Sequence, residues 1–225
     1  ECRMSVPVII DCDPGHDDVF AIWLAAGNPG VDLQAITTVA GNGLLKYTTL
    51  NARIACTIAG IRGVPIAAGA DGPLHRKLHT ASAIHGANAL GGPVLPDPDV
   101  PLDNRDAVQL MTDIVTQSNE PVVLVPTGPL TNIAQFILSS DRSLLAKVSK
   151  IVWMGGSTSR GNRTPYAEFN AWADPEAIAV VLNSGIPLTM VGLNITHQAL
   201  VTQQVRERIS AIGNNTARFG RELLD

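Results

Sequence analysis

The stretch "VIIDCDPGHDDVFAIWLA", Val8 to Ala25, joins a run of apolar and β-branched residues to an apolar-periodic run through a Pro14-Gly15 turn. The first run reads as a buried strand and the second as a helix, so the chain opens on a strand–turn–helix unit. Its core, "DCDPGHDD", places Asp11, Asp13, Asp17 and Asp18 within eight residues. Two carboxylates about 5 Å apart repel by ~3 kcal/mol at an effective dielectric near 20. A helix N-terminus returns only ~0.3–1 kcal/mol per carboxylate. Asp11 and Asp13 are two apart on a strand and can point the same way, whereas Cys12 between them points to the opposite face. A hard divalent cation held by oxygen ligands resolves the repulsion better than helix capping does.

Outward from this unit, strands and helices alternate. Strands are expected at "VDLQAITTVAG", "VPIAAG", "PVVLVPTG", "KIVWMGG" and "PLTMVGLN". Helices are expected at "LLKYTTLNARIACTIAG" (closed by Gly60), "DAVQLMTDIVTQS", "LTNIAQFILSS" and "PEAIAVVLNSG". Such alternation implies an α/β fold, a mainly parallel, Rossmann-like sheet with helices on both faces, and one domain over residues 1–225. Residues 71–105, rich in Gly, Pro and His, form a long segment expected to cover a pocket. Ligands of open parallel sheets sit beyond the carboxyl ends of the strands, where "DCDPG", "AGN", "PTGPLTN" and "MGG" all fall. The chain closes on "NNTARFGRELLD", an amphipathic helical pattern with no stop signal after it, so a C-terminally incomplete domain is expected.

Composition narrows the class. Of 225 residues, 45% are hydrophobic and 16% charged, and the net charge is −4, with no Lys/Arg run to contact nucleic acid. No apolar run reaches membrane-spanning length, and "ECRMSVP" has no signal-peptide pattern. Cys2, Cys12 and Cys56 form no CxxC pair, which points to a reducing, cytoplasmic setting.

Aspartyl-nucleophile phosphatases also carry Asp-x-Asp after a first strand, but they need a second acidic pair, and no further "DD" follows residue 18. "DCDPGHDD" instead resembles the hallmark motif of the inosine-uridine-preferring nucleoside hydrolases. The resemblance continues in order through "AITTVAGN", "GVPIAAGA", "IHG", "LVPTGPLTNIA", "MGG", "GNRTPYAEFNAWADPEA" and "MVGLNITH".

The resemblance implies a Ca²⁺ ion held by Asp13, Asp18 and the backbone carbonyl of Thr127. Asp13 would also orient and deprotonate the metal-bound water. Asp17 would hold the ribose 2′-hydroxyl and Asn42 the sugar hydroxyls. Asn162 and Glu168 would grip the 5′-hydroxyl and Asn170 the 3′-hydroxyl, with Met154 lining the sugar pocket. His85, in "AIHG", would contact the leaving base, and Asp11 would support the network without a direct role. Taken alone, "GNRTPYAEFNAWADPEA" reads as a polar loop that caps a helix at Pro175 with Asp174 as N-cap.

The activity so implied is hydrolysis of the N-glycosidic bond of ribonucleosides to free base and ribose, with inversion through an oxocarbenium-like state. The implied partners are a small-molecule ribonucleoside and further copies of the chain, as a homodimer or homotetramer, with no nucleic acid and no membrane. The family's C-terminal part carries a His-Asp pair that does not occur before Asp225, which leaves a nucleoside- or ribose-binding homologue without turnover as the alternative. Relatives often carry Glu at Ala87, Gly at Ala89 and Asp at Asn194.

Overall fold

The computed structural model describes residues 5–81, 86 and 88–224. Six strands build one sheet: β1 (Val6–Cys12), β2 (Val31–Thr38), β3 (Ile66–Ala68), β4 (Val122–Pro126), β5 (Val148–Met154) and β6 (Leu188–Val191). Their order is β3-β2-β1-β4-β5-β6 and every pairing is parallel. The order reverses between β1 and β4, where crossovers leave to opposite sides and open a crevice at the carboxyl ends.

Alternation along β1 sorts its residues between two cores. Val8, Ile10 and Cys12 pack with α1 (His16–Gly27), α2 (Leu45–Ala59) and the last described helix, Asn215–Leu223. Ile9 faces the other way, towards α3 (Ala107–Gln117), α4 (Thr131–Ser139) and the helix at Pro175–Asn183. Gly60, at φ +66°, closes α2 in the left-handed conformation and donates its N–H to the carbonyls of Cys56 and Thr57. The "NNTARFGRELLD" helix buries Phe219 and Leu223, with Phe219 edge-on to Trp23 at 6.4 Å between ring centroids.

All twelve strands and helices read from the pattern are present. The structure adds four short or polar helices: α5 (Arg142–Leu145), α6 (Phe169–Ala173), α8 (Leu193–Thr196) and α9 (Gln203–Ile212), with Pro175–Asn183 as α7 and Asn215–Leu223 as α10. Elements of four or five residues are too short to show a 3.6-residue period, and α9 buries none of its side chains. The presumed polar loop before Pro175 therefore contains α6. Between residues 71 and 106 the described residues form no strand or helix. Among the described residues no helix is long and apolar enough to cross a membrane.

Asp11 pins the centre of the sheet. Its Oδ1 accepts from Thr37 Oγ1 on β2 (2.7 Å) and from Asn132 Nδ2 on α4 (2.7 Å). Asn132 also donates to the Thr38 carbonyl (2.9 Å) and accepts from the Ala70 N–H (2.8 Å), so one amide joins β1, β2, the end of β3 and α4. A Cβ on Gly69 would collide with that amide, which explains the glycine there. The other Asp11 oxygen has no partner. Burial pushes the carboxyl up to about 7 from an ordinary 3.8, against the lowering effect of the Asn132 and Thr37 bonds.

A pH signature follows. Between the unfolded value of 3.8 and the folded value of about 7, the folded state holds a proton that the unfolded state has lost. Stability from this group is therefore greatest in acid and declines as pH rises through that window, by up to about 4 kcal/mol. In chelator-treated protein, Asp11→Asn keeps a neutral acceptor for Asn132 and Thr37. Its urea midpoint should gain on that of the unaltered chain from about pH 4 to about pH 8. Parallel pH profiles for the two proteins would refute the assignment.

Candidate active site

The Pro14-Gly15 turn delivers Asp13 from the end of β1 and Asp18 from the first turn of α1 into the crevice. Both side chains are buried. Asp13 Oδ2 accepts from the Asn42 N–H (2.7 Å), and Asn42 Nδ2 donates to the Asp13 carbonyl (3.0 Å) and to Asp18 Oδ2 (3.3 Å). The other Asp18 oxygen accepts from Thr127 Oγ1 at 2.6 Å, and Oδ2 takes the Gly15 N–H at 3.1 Å. Two glycines wrap Asp13: a Cβ on Gly41 would collide with Oδ2, and one on Gly128 would stand 2.6 Å from Oδ1.

Asp13 Oδ1 is buried with no protein partner. Burial and then the charge of Asp18 raise the Asp13 carboxyl well above the ordinary carboxylate range. Burial and then the charge of Asp17 push Asp18 up to about 7, opposed by the bonds from Thr127 and Gly15. Asp17 itself is exposed in the first turn of α1. Cys12, on the far side of β1, donates to the Thr37 carbonyl, and burial pushes its thiol well up, so it is no nucleophile.

A second group of residues joins the first through Thr127. The Thr127 carbonyl accepts from Asn170 Nδ2 at 2.9 Å, and the same nitrogen donates to the Met154 carbonyl (3.0 Å) and lies 3.4 Å from its sulfur. Glu168, the N-cap of α6, is buried and accepts the N–H groups of Asn170 (2.8 Å), Ala171 (3.0 Å) and Gly156 (2.9 Å). Burial raises its pKa, and those N–H groups oppose the rise. Asn162 uses its carbonyl oxygen to accept from the Phe169 N–H at 2.8 Å. Asp174 caps α7 as expected, and it further accepts from Thr131 Oγ1 and the Leu74 N–H.

Asp13, Asp18, Asn42 and Thr127 thus share one hydrogen-bonded cluster, continuous through Asn170 with Met154 and Glu168. Asn162 stands at the start of α6 beside it, and Asp17 borders it from solvent. His85 and Ala87 lie outside the described residues. Sequence reasoning misses Asn132 and Asn51, although each is a polar residue inside an apolar helical run, which is the available signal.

Among the described residues no three His, Cys, Asp or Glu side chains gather as a metal-holding group. Two buried carboxylates, Asp13 and Asp18, do come together, joined by Asn42. The bare, buried Asp13 Oδ1 in its glycine cradle suits an oxygen-seeking cation.

The family model described as inosine-uridine preferring nucleoside hydrolase matches residues 8–225. A pyrimidine-specific ribonucleoside hydrolase of Photobacterium profundum is 49% identical over 222 residues, covering 99% of this chain and 71% of that protein. Its counterpart in Escherichia coli is 45% identical with the same coverage. Among solved structures, the purine-preferring ribonucleoside hydrolase from Gardnerella vaginalis has a TM-score of 0.91 at 31% identity, over 96% of this chain and 70% of that one. By its parallel sheet, its acidic turn at the strand-order reversal and these matches, the chain belongs to the inosine-uridine preferring nucleoside hydrolase family.

Proposed function

We propose that the cluster hydrolyses the N-glycosidic bond of ribonucleosides to free base and ribose, with pyrimidine ribonucleosides as the preferred class. The carrying observation is Asp13 Oδ1, a buried carboxylate oxygen with no protein partner and a raised pKa. The base preference rests on the pyrimidine-specific relatives at 45–49% identity.

Asp13, Asp18 and the Thr127 carbonyl would hold a divalent cation, Ca²⁺ in this proposal. Held there, such an ion would offset the two carboxylate charges and would lower the pKa of a nearby water. Asp13 is the general base: its carboxylate takes a proton from the attacking water as oxygen bonds to C1′. The C1′–N bond breaks with its electron pair leaving on the base nitrogen, which takes up a proton from solvent as Asp13 returns its own to solvent. Asn42, already holding Asp13 and Asp18 in place, offers hydrogen bonds to the sugar. Asp17 takes the 2′-hydroxyl, Asn170 the 3′-hydroxyl, and Asn162 with Glu168 the 5′-hydroxyl, while Met154 packs on the ring. Gripping all three hydroxyls orients C1′ towards the water and away from the base.

Ribose release from uridine, cytidine and inosine, each with added Ca²⁺ and with EDTA, tests this reading. Uridine and cytidine should turn over faster than inosine, and EDTA should abolish the reaction. Asp13→Asn keeps the shape of the side chain and should cost about 10²–10⁴-fold in kcat. In parallel, 2′-deoxyuridine should react far more slowly than uridine; equal rates would overturn the diol grip, and substrate binding with no turnover would favour a binding homologue.

A further inference from the structure

We propose that Asn51 and His16 are positioning residues that clasp residues 88–91 onto the acidic turn, and so set the rim of the sugar site. The consequence for sugar binding rests on the function proposed above. Asn51 lies on α2, fully buried. Its two Nδ2 hydrogens are divided: one goes to the Pro14 carbonyl (3.0 Å), inside the turn that presents Asp13 and Asp18, and the other to the Asn88 carbonyl (2.8 Å). Its Oδ1 has no protein partner. An apolar residue would avoid that unmet acceptor, so the two donated bonds are what the position supplies.

His16, in the middle of "DCDPGHDD", adds a second tie. Its Nε2 lies 2.8 Å from the Gly91 carbonyl, which can only accept, so the ring nitrogen donates. Between the two ties, Leu90 is buried in the core with α1 and α2. Ala89 is fully buried at φ +63°, and a Cβ on Gly43 would come within 2.9 Å of its own. A left-handed alanine persists only where surrounding contacts impose it. Earlier in the chain, the Ala81 N–H donates to the Gly41 carbonyl (3.2 Å), beside Asp13. Both flanks of the segment between residues 81 and 88 are therefore fastened to the two turns that frame Asp13.

The test is amide hydrogen exchange on the full chain, read by peptide, for His16→Ala, His16→Gln and Asn51→Leu. Exchange across residues 86–92 should rise about fivefold to tenfold in His16→Ala and Asn51→Leu, with β1 and β4 peptides unchanged. His16→Gln, whose Nε2 can donate at the same reach, should restore slow exchange. With uridine, KM should rise about fivefold in the two loosened variants while kcat moves less than about twofold. Unchanged exchange in both, or a Gln variant as fast as the Ala variant, overturns the clasp. Faster exchange with an unmoved KM overturns its role at the site. No turnover of uridine by the unaltered chain would count against the proposed function, while the exchange measurements still decide the clasp.

Discussion

Three carboxylates, Asp11, Asp13 and Asp18, are kept out of water at the one place where the strand order of the sheet reverses. Dehydrating a carboxylate is costly unless it is hydrogen-bonded, neutralised or paired with a cation. Much of the surrounding architecture answers that demand. Asp11 receives two side-chain donors, Asp18 receives the Thr127 hydroxyl and the Gly15 N–H, and Asp13 receives Asn42 on one oxygen only. Asp18, with donors on both oxygens, is the best satisfied of the three, whereas Asp11 and Asp13 each keep one oxygen without a partner.

The four acids of the motif are therefore not one cluster. Strand alternation turns Asp11 towards α4, where Asn132 ties it to β2 and the end of β3. The same alternation sends Cys12 into the opposite core. Asp17, one residue before buried Asp18, stays exposed because successive helix positions face about 100° apart. Mutual repulsion, taken as if all four were neighbours, overstates the problem for Asp11 and understates the burial that raises its pKa.

Sequence pattern shows the strands and long helices because each carries a periodic apolar face, and β1 and α2 are readable almost to the residue. It misses α6 because five residues, Phe169–Ala173, cannot display a period. It also misses the tertiary polar anchors. Asn132 and Asn51 act through partners tens of residues away, and no local pattern encodes which carbonyl will lie opposite an amide after folding. The site roles of Asp13, Asp18, Asn42 and Asn170 come from family resemblance; the structure supplies their common hydrogen-bonded frame and not their chemistry. For Asp174 the local signal is sufficient, since Asp-Pro before a helix marks a cap and start, and the structure adds that its other oxygen holds Leu74.

Glu168 carries one more implication. Its carboxylate closes the first turn of α6 and fastens Gly156, while also standing beside Asn162 and Asn170. A substitution there would disturb the first turn of α6 and the placement of Gly156 together, so no change at Glu168 acts on the cluster without also acting on the helix. At Glu168, evolvability is limited by a helix cap.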